Sequence, residues 1–131
     1  MNWYFAGQFS RLKELAGYAA QARGAGLTVT SQWLEQDQGL GYAGGSDEAG
    51  RGFAKRDLED IAMADGFLFF AEDPAIGILR GGRHVEFGVA LATGKTIEVV
   101  GAVENVFHLL PDIMHYHAFE AWLEARIAEV E

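Results

Sequence analysis

The stretch Gly81-Gly82-Arg83-His84-Val85-Glu86-Phe87-Gly88 places a carboxylate in the first turns of a helix, directly before an apolar Phe. A glutamate there is common in any helix, because the macrodipole favours acids near an N-terminus. Its company is what distinguishes Glu86: Tyr4 in an opening apolar run, Asp57 in a second helix, and a glycine-rich approach. Two carboxyl groups and an orienting phenol are the minimum set for breaking a glycosidic bond. One carboxylate stabilises and traps an oxocarbenium-like transition state while a second acid protonates the leaving group. General acid help of that kind is worth roughly two to four orders of magnitude in rate. Plainer roles remain open to the same residues, Tyr4 as core with its hydroxyl on backbone and Asp57 as the partner of Arg56 or Lys55 on a solvated face.

The elements that must position these groups alternate between strand and helix. Trp3 to Ala6 reads as a strand, and Arg11 to Arg23 as a helix with Leu12, Leu15, Ala16, Ala19 and Ala22 at helical spacing, Ser10 as its N-cap and Gly24 and Gly26 as its stop. Leu27 to Leu34, rich in β-branched and aromatic residues, reads as a second strand. Glu35 to Gly52 carries six glycines and reads as a long loop, of a length that tends to be functional or mobile. Phe53 to Ala64 forms a second helix, Phe67 to Ala71 a strand apolar enough to be buried on both faces, and Glu72 to Arg83 a glycine-bearing loop. Val85, Gly88, Val89 and Ala92 mark a third helix that stops at Gly94, followed by a strand over Thr96 to Val100. Beyond Gly101 the pattern gives a helical turn at Val106 to Leu110, a fifth strand at Ile113 to Tyr116 and a closing helix over Ala118 to Val130. This order predicts one α/β domain over residues 1–131, a flavodoxin-like three-layer sandwich with a five-stranded, mainly parallel sheet. Small ligands of such sheets bind at the carboxyl ends of the strands.

Half of the 131 residues are hydrophobic, enough for a core, and 19 acids against 10 bases give a formal charge of −9. That balance argues against a nucleic-acid polymer or an anionic membrane as partner. The absence of cysteine excludes a disulfide framework, a thiol nucleophile and a thiolate metal site. No targeting segment or membrane span is read, so the expected location is cytoplasmic. His108, His115 and His117 match no standard zinc spacing. The chemistry considered needs no metal, and no cofactor is expected.

Several short motifs resemble the nucleoside 2-deoxyribosyltransferase family, which includes the 2-deoxynucleoside 5-phosphate N-hydrolases. They are Tyr4-Phe5-Ala6-Gly7, Asp57-Leu58, Ala64-Asp65 before the third strand, and Glu86-Phe87-Gly88 followed by an Ala-rich helix and Gly94-Lys95. They occur in order as far as Lys95 and more loosely to Asn105. The resemblance implies that Glu86 attacks the anomeric carbon of deoxyribose and forms a covalent intermediate, that Tyr4 orients it, and that Asp57 binds or protonates the departing base. It also implies a substrate contact from Asn105 reaching into a neighbouring subunit of a homodimer or higher homo-oligomer, with Phe107, Leu109 and Leu110 at the contact, while the carboxyl-end rule places Gly7, Gln8, Phe9, Ser10 and Arg11, after the first strand, among the expected substrate contacts. Six positions before the nucleophile, family transferases carry an Asp and nucleotide hydrolases a Ser; this chain has Arg80.

Between Pro74 and Val85 there is no acid, while Arg80 and Arg83 are basic and the segment enters a helix through Gly81 and Gly82. Exposed amides with arginine suit a phosphate, so Arg80, Gly82 and Arg83, with Ser10 and Arg11, are expected to receive a 5-phosphate. The expected substrate is a small deoxynucleoside or its monophosphate, with transfer to water or to another base. Two alternatives stay open: a nucleotide-binding module without catalysis, and a TIR-like N-glycosidase of NAD.

Overall fold

The computed structural model describes residues 1–36, 46–73, 75 and 81–130. Its strands are β1 (Asn2–Ala6), β2 (Thr28–Val29), β3 (Gly66–Phe70), β4 (Thr96–Val100) and β5 (Met114–Tyr116). They form a five-stranded sheet in the order β2-β1-β3-β4-β5, and every pairing is parallel. The helices are α1 (Leu12–Gly24), α2 (Asp47–Ala62), α3 (Gly82–Ala92) and α4 (Phe119–Val130).

Strand periodicity sorts the aromatic side chains into two layers. On one face, Trp3 and Phe5 of β1 meet Trp122 of α4 edge-on at 5.1 and 5.5 Å, and Phe70 of β3 stacks with Tyr18 of α1 at 5.8 Å. The opposite face alternates in register: Tyr4 stacks on Phe67 at 5.6 Å, and Phe67 and Phe69 receive Phe87 of α3. Both central strands are buried on either side, as their unbroken apolar runs predict. Glu98 of β4 is buried too, satisfied by Trp122 Nε1 at 2.8 Å and by Arg126 of α4. The chain is therefore a three-layer α/β sandwich, as expected, with a wholly parallel sheet.

Three local expectations are corrected. The second strand is only Thr28–Val29, and Gln32–Glu35 is a 3-10 turn. Side chains replace the strand ladder there: Ser31 Oγ accepts from Phe5 N at 2.6 Å, and Trp33 Nε1 donates to Phe5 O at 2.7 Å. With β1 satisfied in this way, the backbone is free to turn off. The loop read over Glu35 to Gly52 ends early, because Ser46 caps α2 by accepting from Ala49 N at 3.1 Å, and Asp47 and Glu48 follow in the first turn. Ser10 does not cap α1; it lies in a 3-10 turn, Phe9–Arg11, that leads into the helix.

Two glycines fit specific demands. Gly66 starts β3 against the Trp3 ring, where an added Cβ would lie 2.5 Å from Cε3. Gly81 opens α3 at φ +85°, a left-handed conformation that glycine adopts without steric cost.

Candidate active site

The strands β1 and β3 end beside the start of α3, and that junction gathers the unusual side chains. Phe87 pins α3 to the sheet through Phe67 and Phe69. Its predecessor Glu86 points about 100° away around the helix, towards β1, where the Tyr4 hydroxyl donates to Glu86 Oε2 at 2.6 Å. Burial, reinforced by the Glu86 and Asp57 charges, holds the Tyr4 phenol well above its ordinary range, so it stays a proton donor. Burial also pushes the Glu86 carboxyl up to about 7; the Tyr4 hydrogen bond opposes that shift and the Asp57 charge adds to it.

Asp57 projects from α2 into the same electrostatic neighbourhood, acting on both Tyr4 and Glu86. Among the described residues it makes one ion pair, a long contact of 3.4 Å with the adjacent Arg56, whose guanidinium also donates to Gln36 Oε1 at 3.0 Å. Burial raises Asp57 to about 6, Arg56 pulls it back, and the Asp60 charge adds to the rise. Asp60, one turn along α2, is itself buried, accepting from Gln32 N at 2.9 Å and Gln32 Nε2 at 2.7 Å. One carboxyl group with a raised affinity for a proton thus sits against a neutral phenol, and a second lies near enough for its charge to act on both. Such a set holds one proton near neutrality and can both attack and protonate.

The expected substrate contacts divide. Gly7 and Gln8 follow the carboxyl end of β1, and the Gln8 side-chain nitrogen is buried with no hydrogen-bond partner among the described residues. Phe9 packs near Trp33 at 6.5 Å, and Ser10 is exposed. Gly82 is exposed in the first turn of α3. Arg80 lies outside the described residues, as does most of the loop expected to bind phosphate.

Arg11 and Arg83 are not free cations. Arg11 binds Glu14 at 2.7 and 2.9 Å and Glu72 at 2.6 Å. Arg83 is buried in a two-pronged pair with Glu104, one contact at 2.7 Å, beneath which the Phe69 ring lies 5.1 Å away. The reason is sequence-distant partnering: Glu72 follows β3 and Glu104 follows β4, so the sheet delivers an acid to each arginine. Asn105 caps a 3-10 turn, Val106–Leu109, through Phe107 N at 3.0 Å, and its amide lies 3.5 Å from His84 Nδ1. It therefore sits beside the first turn of α3.

Glu72, Asp60 and Glu104 were not singled out by the sequence reading. Only Asp60 had a local signal, its spacing of three from Asp57 on one helix face. Among the described residues no group of His, Asp and Glu side chains is arranged to hold a metal ion, and no helix is long and apolar enough to cross a membrane.

No protein-family model matches the sequence, and no curated protein matches it significantly. Solved structures do. A 2-deoxyribosyltransferase from the psychrotolerant bacterium Bacillus psychrosaccharolyticus superposes with a TM-score of 0.71 at 24% identity, over 97% of this chain and 96% of that one. A conserved protein from Enterococcus faecalis V583 gives 0.66 at 16% identity, over 100% and 99% of the two chains. A CMP N-glycosidase from Clostridium botulinum gives 0.59 at 17% identity over the full length of both. With these neighbours and its parallel sheet, the chain is nucleoside 2-deoxyribosyltransferase-like in fold.

Proposed function

We propose that this chain belongs to the nucleoside 2-deoxyribosyltransferase family and cleaves the N-glycosidic bond of a 2-deoxynucleoside or its monophosphate, with Glu86 as nucleophile. The observation that carries the reading is the 2.6 Å hydrogen bond from Tyr4 to Glu86 at the strand ends, with the Asp57 charge felt by both. Its Bacillus psychrosaccharolyticus neighbour is a deoxyribosyltransferase and its Clostridium botulinum neighbour an N-glycosidase, two outcomes of the same bond cleavage.

Tyr4 holds one oxygen of Glu86 and leaves the other for attack on the anomeric carbon. As the carbon–nitrogen bond breaks, its electron pair passes to the base nitrogen, which takes the Asp57 proton, and a glutamyl ester of the sugar remains. Water or a second base then attacks the same carbon, Asp57 recovers the proton and Glu86 leaves. The Gln8 amide, buried without a partner among the described residues, is assigned as a donor for the bound sugar or base, since such a group left unpaired costs about 1–3 kcal/mol.

The test is a panel of deoxynucleosides and their 5-monophosphates, incubated with and without a second free base and separated by chromatography. Free base or exchanged nucleoside is expected, and Glu86→Ala abolishes both. Release of nicotinamide from NAD without turnover of any deoxynucleoside would replace this reading with an NAD N-glycosidase. No turnover at all would leave a binding module.

A further inference from the structure

Four consecutive residues, Thr30 to Trp33, lie between the strand that carries Tyr4 and the helix that carries Asp57, and they bind both. Towards β1, Thr30 N donates to Trp3 O at 2.8 Å, Ser31 Oγ accepts from Phe5 N at 2.6 Å and Trp33 Nε1 donates to Phe5 O at 2.7 Å. The backbone is thereby held on either side of Tyr4. Towards α2, the hydrogen bonds converge on Asp60: Thr30 Oγ1 donates to its carbonyl at 2.9 Å, Gln32 N to Oδ2 at 2.9 Å and Gln32 Nε2 to Oδ1 at 2.7 Å. Asp60 is 3% exposed. Both of its carboxylate oxygens take neutral donors, and among the described residues no cation pairs with it. Fastening a helix needs no charge, and a buried charge without a cation is costly to keep.

Resting on the function proposed above, we propose that Asp60 is a positioning residue of the reaction, one that acts through Asp57 by fixing its place against Tyr4 and Glu86 and by lending it a neighbouring negative charge. Asp57 stands three residues before Asp60, on the same face of α2, so a hold on one sets the place of the other. The bracket of Thr30 to Trp33 joins that face to the two peptide groups flanking Tyr4, which ties the acid to the phenol across two elements. The charged and titratable groups around Asp57 are Arg56 on its own helix, Tyr4 from β1 and Glu86 from α3. The Arg56 charge favours the ionised form of Asp57, and the Asp60 charge favours the protonated form that the departing base requires.

Two measurements separate this role from a contribution to stability. The first is a cycle of kcat/KM values for a deoxynucleoside, taken with excess enzyme. Asp60→Asn keeps the shape of the side chain and removes its charge; it is expected to lower kcat/KM by about tenfold in the parent enzyme and to have no effect where Asp57 is already Asn, because the group it acts through has gone. Gln32→Ala, at an exposed position, frees one Asp60 oxygen; it is expected to give a smaller loss with the same dependence on Asp57, and it supplies the cycle if Asp60→Asn does not fold. Equal losses in both backgrounds, or no loss in the parent, overturn the proposal while leaving the glycosidic chemistry intact. The second measurement follows the Asp57 carboxyl carbon by NMR through a pH titration. Its midpoint is expected to fall by about half a pH unit in Asp60→Asn, and an unchanged or raised midpoint overturns the proposal. If the parent turns over no deoxynucleoside, the function itself fails, and the titration still decides whether Asp60 acts on Asp57.

Discussion

Burial pushes the Glu86 carboxyl up to about 7 and the Asp57 carboxyl up to about 6, while the proposed reaction needs Glu86 ionised and Asp57 protonated. Below pH 6 both groups are protonated and the nucleophile is lost; above pH 7 both are ionised and the acid is lost. The expected kcat/KM profile is a narrow bell peaking between those values, and Asp57→Asn should lower its height and remove the alkaline limb, since no proton remains to be lost there. A flat profile from pH 5 to 8 in the parent enzyme would contradict the assigned roles. The meeting of Tyr4 with Glu86 was legible in the sequence, because each sits inside a short motif. Arg83, expected to meet a phosphate, is paired in the fold with Glu104, which lies 21 residues away, and no local pattern announces a pair made between a helix and the segment after a strand.

At the level of elements, β1 decides the site, since it carries Tyr4 and its far edge is held by side chains as well as by a strand. Ser31 is fully buried and its hydroxyl accepts from Phe5 N at 2.6 Å. Ser31→Ala leaves that amide without a partner, and denaturant unfolding should show a loss of about 1–3 kcal/mol; a loss below a few tenths would mean that Trp33 alone secures the edge. The same detail explains what the sequence concealed. Leu27 to Leu34 has strand composition, yet only Thr28 and Val29 enter the sheet, because hydroxyl and indole groups compete with the ladder. The central strands were legible from unbroken apolar runs and α1 from its spacing, whose inward residues Leu12, Leu15, Ala19 and Ala22 are all buried. The start of α2 was not, because Gly50 and Gly52 outweighed the Ser46 cap in a reading by composition.

For the whole molecule, a charge of −9 opposes association of identical copies, so any self-contact must gather apolar surface in one place. The turn after β4 does this: Val106, Phe107, Leu109 and Leu110 are 71%, 57%, 65% and 39% exposed. Beside them a cleft of about 370 Å³, lined by Phe87, Gly88, Leu91 and Phe107, runs along α3. Exposed apolar groups concentrated in this way mark an interaction surface. The proposed occupant is a second copy, with Asn105 carried into the neighbouring site. Sedimentation should give a dimer that tightens with added salt, as screening of the net charge requires. Phe107→Asp should shift it to monomer, with turnover per chain falling in step with dissociation on dilution. A monomeric parent protein whose specific activity is independent of concentration would remove both the dimer and the role of Asn105, while leaving the Tyr4–Glu86 chemistry standing.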